Sequence, residues 1–243
     1  MITKTGLATA FVAAVVAAIV SAGTLVILWF YVTNNPELLM KMRAEINRHQ
    51  QEEAAAERLK VISDNADALF RSDKSHFVGN PNGDVTVVEF FDYNCGYCHR
   101  AMPEVVKLLE NDDKVKVVFK EFPIFGDESE QAAKGALAAA KQDKYFVVHQ
   151  KLFSDPGKAD KDKVLRIAKV IELDVPQLEK DMESKDVQAA LDEGRKLAEK
   201  LAIRGTPVYL IGDRVIGGAP EDLYDQLVEK VAEVRQQGCK AKC

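Results

Sequence analysis

Cysteine is scarce in this chain. Four occur in 243 residues, in two close pairs, Cys95/Cys98 and Cys239/Cys243. So few cannot staple a disulfide scaffold, and the core must come from ordinary apolar burial. Excess positive charge is also missing. The formal net charge is −5, and no basic field argues for a nucleic-acid partner. There is no internal repeat and no low-complexity tract. The length suits one sizeable domain with appendages.

Charge of either sign is absent from Thr5 to Asn35, and Leu7 to Val32 is almost wholly apolar. A helix across a bilayer needs about 20 such residues. A cleavable signal has an apolar region of about 7 to 15 residues followed by a small-residue site. Val20-Ser21-Ala22 offers such a site, yet the apolar run continues through Leu25-Val26-Ile27-Leu28-Trp29-Phe30-Tyr31. The expectation is an uncleaved anchor over residues 1–33 that meets the membrane through residues 5–33. Trp29 and Tyr31 suit its membrane–water interface.

Asn34-Asn35-Pro36-Glu37 reads as a helix start, with Asn as cap and Pro at the first position. Residues 34–72 then read as a helical stalk rich in Glu, Ala, Gln, Arg and Leu. Apolar residues recur at helical spacing at Leu39, Met42 and Ile46, and again at Leu59, Ile62, Ala66 and Leu69. His49, Glu53 and Ala56 interrupt the stripe. Two readings stay open: an oligomerising helix over residues 36–70, or a solvated stalk.

Ser72 to Asp84 reads as a linker, with the turn cluster GNPNGD. Val85 to Phe91 is β-branched and aromatic, a buried strand. A helix follows from Met102 to Glu110, then a strand from Val115 to Phe119. Residues 127–200 carry helical periodicity with breaks near Pro156-Gly157, Asp174 and Ser184. Pro207 to Ile211 and Arg214 to Ile216 flank Gly212-Asp213, a hairpin. Pro220 opens a last helix.

The chemistry centres on Cys95-Gly96-Tyr97-Cys98-His99. Cys-x-x-Cys-His fits a c-type haem site, half a zinc site, or a redox pair. A haem would take His99 and a second ligand such as Met182 or His149, and zinc would join Cys95/Cys98 to Cys239/Cys243. The zinc reading joins pairs in different settings, one after a core strand and one in the tail GCKAKC, and a haem needs no buried strand leading into the motif. A redox pair does: after a strand and before a helix, the Cys95 sulfur meets free N–H groups and the helix dipole, which stabilise a thiolate. Cys95 is then the exposed nucleophile and Cys98 its more buried partner. His99 reads as a helix-start residue whose charge helps the thiolate. Glu89 lies in the apolar strand, six residues before Cys95. It reads as the proton acceptor for Cys98, or as the partner of Lys120 on the next strand. The tail pair reads as a local disulfide, a second redox pair or a metal clip.

The stretch VVEFFDYNCGYCHRAMPEVVKLL resembles the DsbA-like branch of the thioredoxin superfamily. FKEFPIFG at 119–126 and RGTPVYLIGDRVIGG at 204–218 are similar to later stretches of the same family, in the same order. The resemblance spans about residues 77 to 236 and identifies Pro103 with the proline of the active-site helix. It implies an α/β thioredoxin fold over residues 73–243, with a helical insertion over about residues 127–200, behind the stalk and the transmembrane helix. Catalytic roles fall on Cys95, Cys98 and Glu89; Thr206 and Pro207, as a cis pair, with Gly96 and Tyr97, would hold substrate. The implied function is thiol–disulfide exchange on protein thiols, as isomerase or oxidase, with no cofactor and no metal. Gly96-Tyr97 and Thr206 look like the disulfide isomerases of the bacterial periplasm, and the stalk resembles the trimerising segment of ScsC-like proteins, linked to copper tolerance. The anchor departs from the resemblance, which implies a cleaved signal. Disulfide chemistry on secreted clients belongs in an oxidising compartment, so the expectation is an anchor in the bacterial inner membrane with the catalytic domain and a redox partner in the periplasm. The alternatives are a copper-binding protein using the same thiols, or a c-type cytochrome.

Overall fold

A computed structural model describes residues 22–27 and 29–241. Most of the expected anchor, and Cys243, lie outside these residues. Among the described residues no helix is long and apolar enough to cross a membrane. The chain divides into two units, residues 1–56 and 57–243.

In the first unit, residues 22–27 and 29–33 are helical, and Leu25, Val26, Ile27, Trp29, Phe30 and Tyr31 are all exposed. Helix α1 (Pro36–Asp64) begins here and ends in the second unit. Its early surface carries local ion pairs, Lys41–Glu37 and Arg48 with Glu45 and Glu52, while Leu39, Met42 and Ile46 are exposed. Such pairs support a solvated helix by a few tenths of a kcal/mol each.

The second unit is built on a mixed five-stranded sheet. Its strands are β1 (His76–Gly79), β2 (Val85–Phe91), β3 (Val115–Glu121), β4 (Val208–Ile211) and β5 (Arg214–Gly217), in the order β1-β3-β2-β4-β5. β2 and β3 run parallel, connected through the helix Gly96–Asn111, and the other pairs are antiparallel. The helices of this unit are α2 (Ala66–Phe70), α3 (Gly96–Asn111), α4 (Asp127–Ala139), α5 (Tyr145–Ser154), α6 (Lys161–Val170), α7 (Val175–Met182), α8 (Lys185–Lys200) and α9 (Leu223–Gln237). α4 to α8 form the helical insertion between β3 and β4.

Strand alternation sorts the side chains onto two faces. Val85, Val87, Phe91, Val117, Phe119, Tyr209 and Ile211 face a large core shared with α3, the insertion and α9. Val88, Phe90, Val118 and Leu210 face a smaller core. That smaller core receives Ile62, Ala66, Leu69 and Phe70, so the second half of the stalk's apolar stripe packs on the sheet of its own chain. Ala241 is buried there too, and Cys239 packs against both cores.

One strand was hidden in the expected linker. β1 lies within residues 72–84 and pairs antiparallel with β3 along the sheet edge. It is short and half-exposed, so it carries no apolar run for a sequence to display. The hairpin turn lies where expected: Ile211 pairs with Arg214, and Gly212 takes a φ of +59°, which glycine adopts without strain. Gly194 of α8 has a different reason. A Cβ there would sit 2.5 Å from the Glu121 carbonyl oxygen, so only glycine lets α8 approach β3.

Candidate active site

β2 delivers the motif. Strand register sets Glu89 opposite Phe119 of β3 and Tyr209 of β4, on the face that carries Cys95 and Cys98. After Phe91 the chain turns at Asp92, whose buried carboxylate gathers four donors: the main-chain N–H groups of Asn94, Ile124 and Phe125, and the Ser129 hydroxyl. Asn94 extends this anchor to Ser129 and to both main-chain groups of Ala159. The turn that presents Cys95 is therefore fastened to the loop after β3 and to the insertion.

Cys95 is the N-cap of α3, and its side chain makes no capping hydrogen bond. Its Sγ donates to the Thr206 carbonyl oxygen at 3.2 Å. The Thr206-Pro207 peptide is cis. Cys95 was expected to be exposed, and here it is not. It is 3% exposed and Cys98 1%, because the Thr206 loop lies against the Cys95 sulfur. The exposed parts of the motif are Gly96 and Tyr97, and Tyr97 stacks under the Arg100 guanidinium, 4.6 Å from its ring centre. Tyr97, Gly205, Thr206, Pro207, Val208 and Gly218 line an open groove of about 310 Å³ beside the thiols. Of the seven residues picked out by sequence, Tyr97, Thr206 and Pro207 line the groove, Cys95, Cys98 and Glu89 lie buried beneath it, and Gly96 is exposed beside Tyr97 without lining the groove. Pro103 lies inside α3, where it withholds a donor from the His99 carbonyl one turn back.

Cys95 and Cys98 are free thiols. Burial pushes the Cys98 thiol well up; the Asp92 main-chain N–H and the Thr206 hydroxyl oppose this, and the nearby Glu89 adds to it. Glu89 is 2% exposed. Burial pushes its carboxyl up to about 8, against a hydrogen bond that Tyr209 donates to Oε1 at 3.1 Å. Oε2 has no partner. Lys120 is not its counter-ion: Lys120 pairs across the sheet with Phe90, on the other face, and binds Glu193 and the Ala68 carbonyl oxygen.

His99 is fully engaged. Nδ1 lies 2.9 Å from the Phe153 carbonyl oxygen and Nε2 2.8 Å from that of Tyr93. The ring thus ties α3 to the end of α5 and keeps both nitrogens from a haem iron. Cys239 is disulfide-bonded, so it is not a thiolate ligand beside Cys95 and Cys98. Among the described residues no cluster of three or more His, Cys, Asp or Glu is arranged to hold a metal.

Sequence reading missed three participants. Tyr209 supplies the Glu89 contact; its signal was a hydroxyl in an apolar strand three residues past Thr206. Asp92 was hidden as an ordinary strand-end acid. The third is a buried group behind the motif, where Glu121 Oε1 accepts from both Tyr93 and Tyr145 at 2.9 Å. The Tyr93 hydroxyl also meets His149 Nδ1 at 3.0 Å. Burial lowers the His149 ring to about 3.

The comparisons agree with this geometry. The family model of the DSBA-like thioredoxin domain matches residues 86–232. A solved thioredoxin-like oxidoreductase from Silicibacter pomeroyi DSS-3 is 45% identical, with a TM-score of 0.68, covering 70% of this chain and 97% of that one. The catalytic domain of Proteus mirabilis ScsC is 29% identical, with a TM-score of 0.65, covering 72% and 97%. The probable disulfide bond formation protein D of Bacillus cereus is 28% identical over 170 residues, 63% of this chain and 79% of that protein. A Na(+)/H(+) antiporter NhaA 3 of Salinispora tropica matches over 144 residues, only 22% of its length. The redox pair at the head of α3, the Thr206-Pro207 loop against it and the match across most of the sheet and insertion give one conclusion: this chain belongs to the DsbA-like family of thioredoxin-fold thiol–disulfide oxidoreductases.

Proposed function

We propose that this chain rearranges disulfides in protein substrates outside the cytoplasm, with Cys95 as nucleophile and Cys98 as resolving thiol. The carrying observation is the contact between the Cys95 Sγ and the Thr206 carbonyl, with Cys98 buried behind it and Glu89 beside it. The Cys95 thiolate attacks one sulfur of a client disulfide. A mixed disulfide forms, and the client's other sulfur leaves as a thiolate. A different client thiol, as its thiolate, then attacks the client sulfur bound to Cys95 and restores the Cys95 thiolate; a new client disulfide has replaced the old one, with no net redox change. Alternatively Cys98 gives its proton to Glu89 and attacks Cys95. The client leaves reduced, and Cys95–Cys98 is oxidised. An extracytoplasmic redox partner then resets the pair. Thr206, Pro207, Gly96 and Tyr97 hold the client, whose extended backbone suits the open groove.

Disulfide chemistry on proteins belongs in an oxidising compartment, which favours a periplasmic catalytic domain. The apolar N-terminal residues 5–33 suit an anchor in the inner membrane, and exposed Leu39, Met42 and Ile46 suit self-association as a trimer through the early part of residues 36–70, ahead of the residues that pack on the chain's own sheet. Several redox centres would then face one client.

The test uses the full chain in detergent and a scrambled multi-disulfide client in a redox buffer. Wild type restores client activity, and Cys95→Ser does not. Failure of wild type on the scrambled client, with fast oxidation of a reduced one, overturns the isomerase reading in favour of an oxidase. Cys98→Ser is expected to accumulate the mixed disulfide. Full wild-type resolution by Cys98→Ser with every client would remove Cys98 from the mechanism.

A further inference from the structure

Glu89 has an unusual setting for a group that must ionise. Among the described residues no cation contributes to its titration. Its register neighbours are Phe119 and Tyr209, and its Oε2 has no partner. The ionisable groups acting around it are Cys98 at the head of α3, Glu121 of β3 and Tyr145 of α5. All are neutral or negative in their titrations, so none stabilises a carboxylate by charge. Helix α9, packed on the same core, contributes the buried and uncharged Leu223, Leu227, Val231 and Val234. One group remains that favours the ionised form: the Tyr209 hydroxyl, fully buried and donating to Oε1 at 3.1 Å. A donor to a carboxylate stabilises its charged form.

Tyr209 also sits at a particular place. It lies two residues past Pro207 on β4, and the same segment puts the Thr206 carbonyl on the Cys95 sulfur. Client-holding and proton-handling groups therefore share the four residues Thr206 to Tyr209.

We infer that Tyr209 is a positioning residue for the redox reaction: its hydroxyl favours the ionised form of Glu89, the form that takes the proton of Cys98. The inference rests on the reading of Glu89 as proton acceptor. The step is balanced within the site. The Cys98 S–H bond breaks, the proton moves to the Glu89 carboxylate, and the Cys98 thiolate displaces the client thiolate from the Cys95 sulfur. Tyr209 keeps its own proton throughout; burial and the adjacent Glu89 raise it well above the ordinary tyrosine value.

The experiment follows resolution of a preformed mixed disulfide on Cys95 across pH 5 to 10, in full-length wild type, Tyr209→Phe, Glu89→Gln and the double variant. Losing a hydrogen bond to a charged group corresponds to about one pH unit or more. Tyr209→Phe is expected to move the rising limb of the rate profile up by that amount and slow resolution at pH 7 by about tenfold. Glu89→Gln is expected to remove the limb, and Tyr209→Phe is expected to add nothing in that background. If Glu89→Gln slows resolution while Tyr209→Phe keeps the wild-type profile, Tyr209 has no such role. Additive effects in the double variant overturn it equally. If Glu89→Gln itself leaves the profile unchanged, the proton-acceptor reading fails first. A check that needs no variant is NMR titration of the reduced wild type: the Tyr209 Cζ shift is expected to follow the Glu89 carboxyl with the same midpoint. Independent midpoints would sink the inference even if Tyr209→Phe fails to fold.

Discussion

Two buried glutamates stand on neighbouring strands of one sheet, and they have opposite surroundings. Glu89 on β2 and Glu121 on β3 are 2% and 4% exposed, and burial raises both. Glu121 Oε1 takes hydrogen bonds from two tyrosines, one of which also meets His149, and stacked rings enclose the group. Glu89 takes one tyrosine, keeps an oxygen with no partner, and lies beside a thiol. Desolvation alone therefore does not make a base. It raises any buried acid, and the neighbours decide whether the acid is locked or left with a lone pair for a visiting proton. A buried polar atom left unpaired costs stability. His149 Nε2 behind the motif is unpaired too, so what sets Glu89 apart is that its open oxygen belongs to a carboxyl beside a thiol.

The largest expected effect breaks the pair apart kinetically. General-base catalysis contributes roughly 10²- to 10⁴-fold, so Glu89→Gln should slow Cys98-dependent resolution by about a hundredfold at its pH optimum. Glu121→Gln should stay within about threefold of wild type, since its carboxyl faces tyrosines rather than sulfur. Stopped-flow release of a chromophoric client thiol reads both. Equal slowing would mean that the two acids act as one proton reservoir.

The next effect concerns stability and pH. Between the ordinary value of 4.5 and about 8, Glu89 is protonated in the folded chain and ionised in the unfolded one. The folded state binds more protons there, so its stability falls as pH rises through that window. Gln cannot ionise. Glu89→Gln should therefore be more stable than wild type at pH 9, on the order of a few kcal/mol, and closely matched at pH 4. Urea unfolding at the two pH values measures the difference. A variant that is less stable at pH 9 would show that Glu89 is better solvated than its burial implies.

How much of this was legible beforehand follows from what each residue does locally. Strand β2, the head of α3 and the β4–β5 hairpin were readable because burial and turn chemistry are written in short runs. Glu89 was readable because a carboxylate in an apolar strand contradicts its surroundings. β1 was not, since a four-residue edge strand needs its partner to be recognised. The burial of Cys95 depends on a segment over 100 residues away, through Thr206. Ile62, Ala66 and Leu69 repeat the helical spacing of Leu39, Met42 and Ile46, and only tertiary packing tells the buried set from the exposed one. Glu121, Tyr93 and Tyr145 come together from three separate stretches, and no spacing announces them.

The smallest effect sharpens the comparison at its hydroxyls. Tyr145→Phe removes one of two donors to Glu121 and leaves the other, Tyr93, in place. A hydrogen bond of this kind contributes about 1 kcal/mol net, so the variant should lose about that much stability by urea unfolding. Its redox kinetics should keep the wild-type pH profile, because the acid it touches takes no proton from Cys98. The same deletion of one oxygen at Tyr209 is expected to do the reverse, with a modest change in stability and a displaced rate profile. One atom removed from each of two tyrosines thus separates the glutamate that supports the fold from the one that serves the thiols, and a Tyr145→Phe profile displaced like that of Tyr209→Phe would merge them.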